Sequence, residues 1–324
     1  MKPFKSFMAP KLEEFHAHRE NLGYTMKSYR SHLRVFDRYM REQEADWQSL
    51  QPAFFLDMRA NLNMESSSVN RIITATRVFF QFLVRRGYLA ENPLQDIPYL
   101  RENTIVPFIF SPEQIDQILH AVCKGMPKTK ARFLRNLGIY LALLLLARCG
   151  LRITEPLRLK LHHYRPDEGT IYIEKTKFSK DRLIPVPIAV MREIENYLSI
   201  RTSLLPHVQN PYLLIRINQR LLTDQQVRFL FHKTLKHIGL DQPRRVIGNM
   251  NFSQPTPHSL RHSFAVNTLL RIKQRGESPQ NALPILAAYM GHSEYKHTSV
   301  YLRAVDAISR KNLYNFTLWK RRKQ

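Results

Sequence analysis

A chain of 324 residues with 44% hydrophobic content is long enough for two domains, each with its own core. Its formal charge of +24, from 50 Lys plus Arg against 26 Asp plus Glu, calls for a polyanionic partner, because repulsion on this scale disfavours a compact chain unless something neutralises it. Two cysteines, Cys123 and Cys149, exclude a disulfide framework, and the longest apolar run, Ile139 to Ala147, is too short to span a bilayer. The first residues, M-K-P-F-K-S-F-M-A-P, lack a signal-peptide core, so the expectation is a cytoplasmic protein with no membrane role and nucleic acid as its partner.

The charge is unevenly shared. There are 15 basic and 12 acidic residues before Val106, and 35 basic and 14 acidic from Val106 onward. The spacing predicts a helical domain over residues 1–100. Leu12, Phe15 and His16 open one period, Tyr29, Leu33, Phe36 and Met40 a second, and Val69, Ile72, Ile73, Thr76, Phe79, Phe80 and Leu83 a third. Ser66 to Ser68 offer N-caps for the third helix, and Gly87 a stop. Its other face carries Asn70, Arg71, Thr74, Arg77, Gln81 and Arg85, and two readings stay open for it: a solvated face, or a face laid on DNA phosphates through Arg71, Arg77 and Arg85.

Asn92 to Pro112 carries four prolines, which predicts a linker over 101–110. A second domain over 111–324 then opens on Ser111 as N-cap, Pro112 at the first helical position and Gln114 completing a capping box. An apolar helix follows and ends at Gly150, with Pro156 starting the next element, which leaves Arg152 and Glu155 at the junction. Three short antiparallel strands are predicted at Leu159 to Tyr164, Thr170 to Glu174 and Arg182 to Val186, joined by the turn P-D-E-G and the basic loop K-T-K-F-S-K-D that holds Lys177 and Lys180. From Ile188 helical patterns run on with few breaks to the end. The fold class is therefore mainly α with a small antiparallel β-sheet.

Four clusters carry chemistry, and each alone has an ordinary reading. Arg152 in C-G-L-R-I-T-E pairs naturally with Glu155 at i+3, and Lys177 in T-K-F-S-K-D-R is a loop charge. His258 and Arg261 in H-S-L-R-H share one helix face, and in M-G-H-S-E-Y-K-H-T-S-V-Y-L-R, Tyr301 stands nine residues after His292. Together and in this order they resemble the tyrosine recombinase (phage integrase) family, of a mobile-element or transposon type. The resemblance implies a helical, SAM-like domain that binds the core DNA site, followed by a mixed α/β catalytic domain with a C-terminal tail.

It further implies that Tyr301 attacks a DNA phosphodiester to give a 3′-phosphotyrosyl intermediate, with strand exchange through a Holliday junction. Arg152 and Arg261 would hold the non-bridging oxygens, each worth roughly a thousandfold in rate by analogy with arginines in other phosphoryl transfers. Lys177 would protonate the leaving 5′ oxygen, His258 would serve in acid/base work, His292 would bond the phosphate, and Glu155 would orient the arginines. Lys180 and Arg182 join Arg71, Arg77 and Arg85 as expected DNA contacts. No two-metal carboxylate cluster and no phosphate loop of the G-x-x-x-x-G-K-[ST] kind is present in the sequence, so no metal and no cofactor is expected. The implied partners are a double-stranded recombination site and a homotetramer on synapsed DNA, from a chain that can be monomeric when free.

Departures from the pattern bear on role. Leu302 and Arg303 follow Tyr301 where many relatives carry a histidine two residues on, and thirty residues separate Arg261 from His292. Tyr289, Tyr295 and Tyr314 are rival tyrosines that the spacing does not fit. The tail, through Leu313, Phe316, Leu318 and Trp319, either docks on a neighbouring protomer or is simply solvated. Two other functions stand beside recombination: a type IB topoisomerase-like relaxing enzyme, and a non-catalytic DNA-binding regulator on the same fold.

Overall fold

The computed structural model describes residues 3–174, 181–292 and 298–306. The chain divides into two compact units, Met1–Thr104 and Ile105–Gln324.

The first unit is built on four helices: α1 (Ala9–Asn21), α2 (Lys27–Glu42), α3 (Pro52–Asn61) and α4 (Ser66–Arg85). Each helix places its apolar stripe inward, and the stripes meet in a knot of rings in which Phe15, Phe36, Phe55, Phe79 and Phe80 are all fully buried. Phe80 stands edge-on to Phe36 and Phe55, and Phe79 edge-on to Phe15. That geometry turns positive ring edges onto negative faces and adds to the gain from burial. The N-terminal strap is tied down by Asp37, whose carboxylate accepts from the backbone N–H groups of Lys5 and Ser6 at 2.9–3.1 Å.

Helix α4 begins differently from expectation: Glu65 is the N-cap residue and no side chain caps it, with Ser66 already inside the helix. Gly87, at φ 74°, does end it. Part of its polar face, Asn70, Thr74 and Arg77, is claimed by the chain itself. Asn70 is buried and bonds the backbone of Leu100 in both directions, donating to the carbonyl at 2.9 Å and accepting from the N–H at 2.8 Å. Arg77, expected to touch DNA, instead donates to the carbonyls of Leu94 (2.9 Å) and Ile97 (2.6 Å) and to the Tyr99 hydroxyl. A guanidinium with five donors is the residue that can satisfy the carbonyls of a proline-rich segment lacking a ladder of its own. Arg71 and Arg85 remain exposed.

Residues 101–110 contain strand β1 (Thr104–Val106), and Phe110 lies fully buried in the second unit's core, its N–H donating to Ser263 Oγ at 2.7 Å. The second unit continues with α5 (Pro112–Lys124) and α6 (Lys130–Cys149). The Ser111–Gln114 capping box forms in both directions. Helix α6 is apolar nearly all round, as a helix enclosed by others must be. It packs against α5 and against α7 (Ile188–Leu204), α8 (Asp224–His237) and α9 (Pro257–Gln274). Helix α10 (Pro279–Met290) lies on α9, and residues 298–306 are helical.

A sheet of β2 (Tyr164–Arg165), β3 (Thr170–Ile173) and β4 (Arg182–Pro185) is antiparallel, with Ile171 opposite Tyr164 on one side and Ile184 on the other. The expected first strand over Leu159 to Tyr164 is interrupted by a 3-10 turn at Leu161–His163, and another such turn at Pro156–Arg158 precedes it. Between them the extended backbone is paired elsewhere: Leu213 N–H donates to Leu159 O, and Leu161 N–H to Pro211 O. A second sheet, unforeseen in the sequence, joins β1 to β5 (Arg245–Ile247) and β6 (Met250–Phe252) in the order β1-β6-β5. Among the described residues no helix is long and apolar enough to cross a membrane.

Candidate active site

The site forms where the end of α6, the first half of α9 and the end of α10 come together. The first is the end of α6. Gly150 adopts φ 60°, and a Cβ there would come within 2.5 Å of Phe264, so only glycine turns the chain this tightly beneath α9. That turn delivers Arg152. Glu155 then folds back on it, accepting from the Arg152 N–H at 2.8 Å and from its guanidinium at 3.1 Å.

The second is the first half of α9, which presents His258, Arg261 and His262. Arg261 is 1% exposed and donates to the carbonyls of Gly150 and Met290, both at 2.5 Å. The third is the end of α10, stopped by Gly291 at φ 63°. Its last carbonyls are shared out among three arginines. Arg182 donates to Tyr289 O at 2.9 Å, Arg261 to Met290 O, and Arg152 to Gly291 O at 2.6 Å. Helix C-terminal carbonyls lack partners within the helix and carry partial negative charge, so they suit guanidinium groups.

Arg182 is the clearest revision. Expected on the DNA surface, it is buried at 9% side-chain exposure and ion-paired at 2.8 Å to Glu155, itself 8% exposed. The Glu155 carboxyl is pushed up by burial, but the Arg182 hydrogen bond and charge, the Arg152 N–H and the Arg261 charge outweigh that and hold it below the usual carboxylate range. Burial, followed by the Arg152 charge, lowers Arg261 to about 10, which leaves it a cation at neutral pH.

Tyr301 is 3% exposed, and its Oη lies 3.0 Å from His262 Nδ1. Burial raises this phenol, while the charges of Arg261 and Arg152 work in the opposite direction. His292 bonds Thr298 Oγ1 through Nδ1 at 2.7 Å, and its ring centroid is 6.2 Å from that of Tyr301. His258 stands edge-on to His262 at 4.5 Å; desolvation by its surroundings, then the Arg261 and Arg152 charges, lower it to about 4. The rival Tyr289 is stacked on Phe264, and burial raises its phenol far above the ordinary value.

Arg152, Glu155, His258, Arg261, His292 and Tyr301 are thus brought together from α9 and from segments that lie far apart in the chain. Lys177 and Lys180, the tyrosines Tyr295 and Tyr314, and the tail residues Leu313, Phe316, Leu318 and Trp319 lie outside the described residues. Arg71, Arg77 and Arg85 belong to the first unit. Arg182, expected as a DNA contact, joins the site through a pairing with Glu155 that no local pattern encodes, and His262, the second histidine of H-S-L-R-H, is a partner absent from the expected set, its i+4 spacing from His258 being the available signal.

A helical unit is followed by an α-rich unit with small sheets, and its buried tyrosine beside His262 and His292, in a cluster that also holds Arg152 and Arg261, is an arrangement suited to phosphoryl transfer. The sequence matches the model of the phage integrase family over residues 109–307, and that family's N-terminal SAM-like domain over 13–87. The tyrosine recombinase XerA of Pyrococcus furiosus is 27% identical over 320 residues, covering 95% of this chain and 96% of that protein. Among solved structures, a lambda integrase (75–356) dimer bound to a COC′ core site shares the fold at a TM-score of 0.65 and 17% identity, over 90% of this chain and 94% of that one. A lambda integrase tetramer bound to a Holliday junction matches at 0.64 and 16%, over 92% and 78%. The chain belongs to the phage integrase family and is a tyrosine recombinase, an enzyme that breaks and rejoins DNA strands.

Proposed function

We propose that this recombinase acts at a specific double-stranded DNA site through a covalent 3′-phosphotyrosyl intermediate formed by Tyr301. The observation that carries the reading is the burial of Tyr301 at 3% exposure with its hydroxyl 3.0 Å from His262, the helix neighbour of Arg261. The Tyr301 oxygen bonds phosphorus, the bond from phosphorus to the 5′ oxygen breaks, and the phosphodiester energy is kept for rejoining. Arg152 and Arg261 neutralise charge on the non-bridging oxygens in the transition state, which is where fixed donors contribute most. Glu155 orients Arg152, His292 bonds the phosphate, His258 handles protons, and Lys177 donates to the leaving oxygen.

Exchange of strands in pairs through a Holliday junction, by a tetramer, is the accompanying assembly. It is supported by the DNA-bound dimer and tetramer among the fold's neighbours. In that assembly Leu313, Phe316, Leu318 and Trp319 dock on a neighbouring protomer, and Arg71, Arg85 and Lys180 contact DNA. Integration, excision or transposition of a mobile element is the biological role we assign, on the length of the interval between Arg261 and His292. The DNA flanking the gene should then carry inverted repeats or element ends.

The central test is covalent trapping on a suicide DNA substrate bearing such a site. The wild type should form an adduct that resists denaturation and Tyr301→Phe should form none; an adduct with Tyr301→Phe would overturn the assignment.

A further inference from the structure

We infer that His262 is the positioning residue of the nucleophile, its Nδ1 accepting the hydrogen bond of the Tyr301 hydroxyl and fixing the direction in which that oxygen points. The inference rests on the reading of Tyr301 as the nucleophile.

Placement on α9 separates the two neighbours Arg261 and His262. Successive helix residues point about 100° apart, so while Arg261 reaches back to Gly150 and Met290, His262 turns toward the helical residues 298–306. The Nδ1 to Oη separation of 3.0 Å is a hydrogen bond, with the ring centroids 5.7 Å apart. The imidazole is itself held: His258, one turn earlier, stands edge-on to it at 4.5 Å and 84°. The Tyr301 ring also neighbours His292, with centroids 6.2 Å apart, and His292 is tied to Thr298.

Water is a poor substitute here, because Tyr301 is 3% exposed. Without His262 the phenol O–H would be buried with its bond unmade and free to rotate about the C–O axis. The charge state fits an acceptor. Burial first, then the charges of His258, Arg261 and His292, push His262 down to about 3, so at neutral pH its lone pair is available and it is a weak proton sink. A group that aims the hydroxyl without taking its proton acts on geometry, and displacement of a reacting atom by an ångström can cost about a hundredfold in rate.

The test uses the full chain on the suicide substrate in single turnover, with DNA affinity measured alongside at fixed salt. His262→Ala should slow adduct formation by about a hundredfold with affinity unchanged. His262→Asn, which can place Oδ1 near the position of Nδ1, should recover most of the rate, and His262→Phe, which fills the space with no acceptor, should stay slow. A packing role predicts the reverse order, so recovery with Phe equal to or greater than that with Asn overturns the inference, as does a wild-type rate with Ala. Should the Ala variant fold poorly, the Asn and Phe pair decides alone. An adduct formed with Tyr301→Phe would overturn the nucleophile assignment instead, which keeps the two failures distinct.

Discussion

Glu155 concentrates the residue-scale consequences. Its carboxylate joins Arg152 to Arg182, and a buried ion pair broken on one side leaves an uncompensated charge. Glu155→Gln should therefore lose about 3–5 kcal/mol in urea unfolding, well beyond an ordinary surface change. His262 gives the pH dependence. Its folded value lies below the ordinary 6.5 of histidine, so the unfolded chain binds the proton first and stability falls as pH drops from about 6.5 toward the folded value. Thermal midpoints measured from pH 7 to 4.5 should decline, and less steeply for His262→Asn. Arg152, His258, Arg261, His292 and Tyr301 were legible because each sits in a short motif at fixed spacing. Arg77 and Arg182 were misread because a basic residue on a polar face or beside a loop looks the same in sequence whether it meets phosphate or a carbonyl. Only the path of Leu94 to Tyr99, or the end of α10, tells them apart.

Among the elements, the turn after α6 does the most positioning. Gly150 combines a left-handed backbone, contact with Phe264 and a carbonyl that holds Arg261. Gly150→Ala should lower the thermal midpoint through backbone strain and displacement of Phe264, and should also slow cleavage, whereas Gly87→Ala meets open space and should pay only for its positive φ. In the first unit, Phe79→Ala should cost about 3–5 kcal/mol, since its ring meets Phe15, Phe36 and Phe80. Long helices with apolar stripes, such as α2 and α4, were readable from periodicity. Strands β5 and β6 were not, being three residues each, though Gly248-Asn249 between R-V-I and M-N-F is a hairpin signal of the kind that short strands leave. The first strand of the other sheet differs from expectation because a 3-10 turn at Leu161–His163 interrupts it while Leu159 pairs with the distant Leu213, and neither leaves a local trace.

On the scale of the whole molecule, the charge of +24 makes affinity for DNA a steep function of salt. Removing a lysine or arginine that neutralises one phosphate reduces the log-log slope by roughly 0.9. Arg71→Ala and Arg85→Ala should each do so, while Arg77→Ala should leave the slope alone and destabilise the first unit; titrations between low and moderate salt would separate the two classes. The end of α10 has a further meaning at this scale. Three guanidinium groups gathered without DNA would ordinarily need water to solvate them, and that water would have to rearrange when a phosphate entered. Here the carbonyls of Tyr289, Met290 and Gly291 take the part of solvent, with dipoles fixed by the helix before the substrate arrives. In the proposed reaction little polarisation would then remain to be reorganised as charge builds on the non-bridging oxygens, and much of the cost of assembling the transition-state environment would have been met when the chain folded.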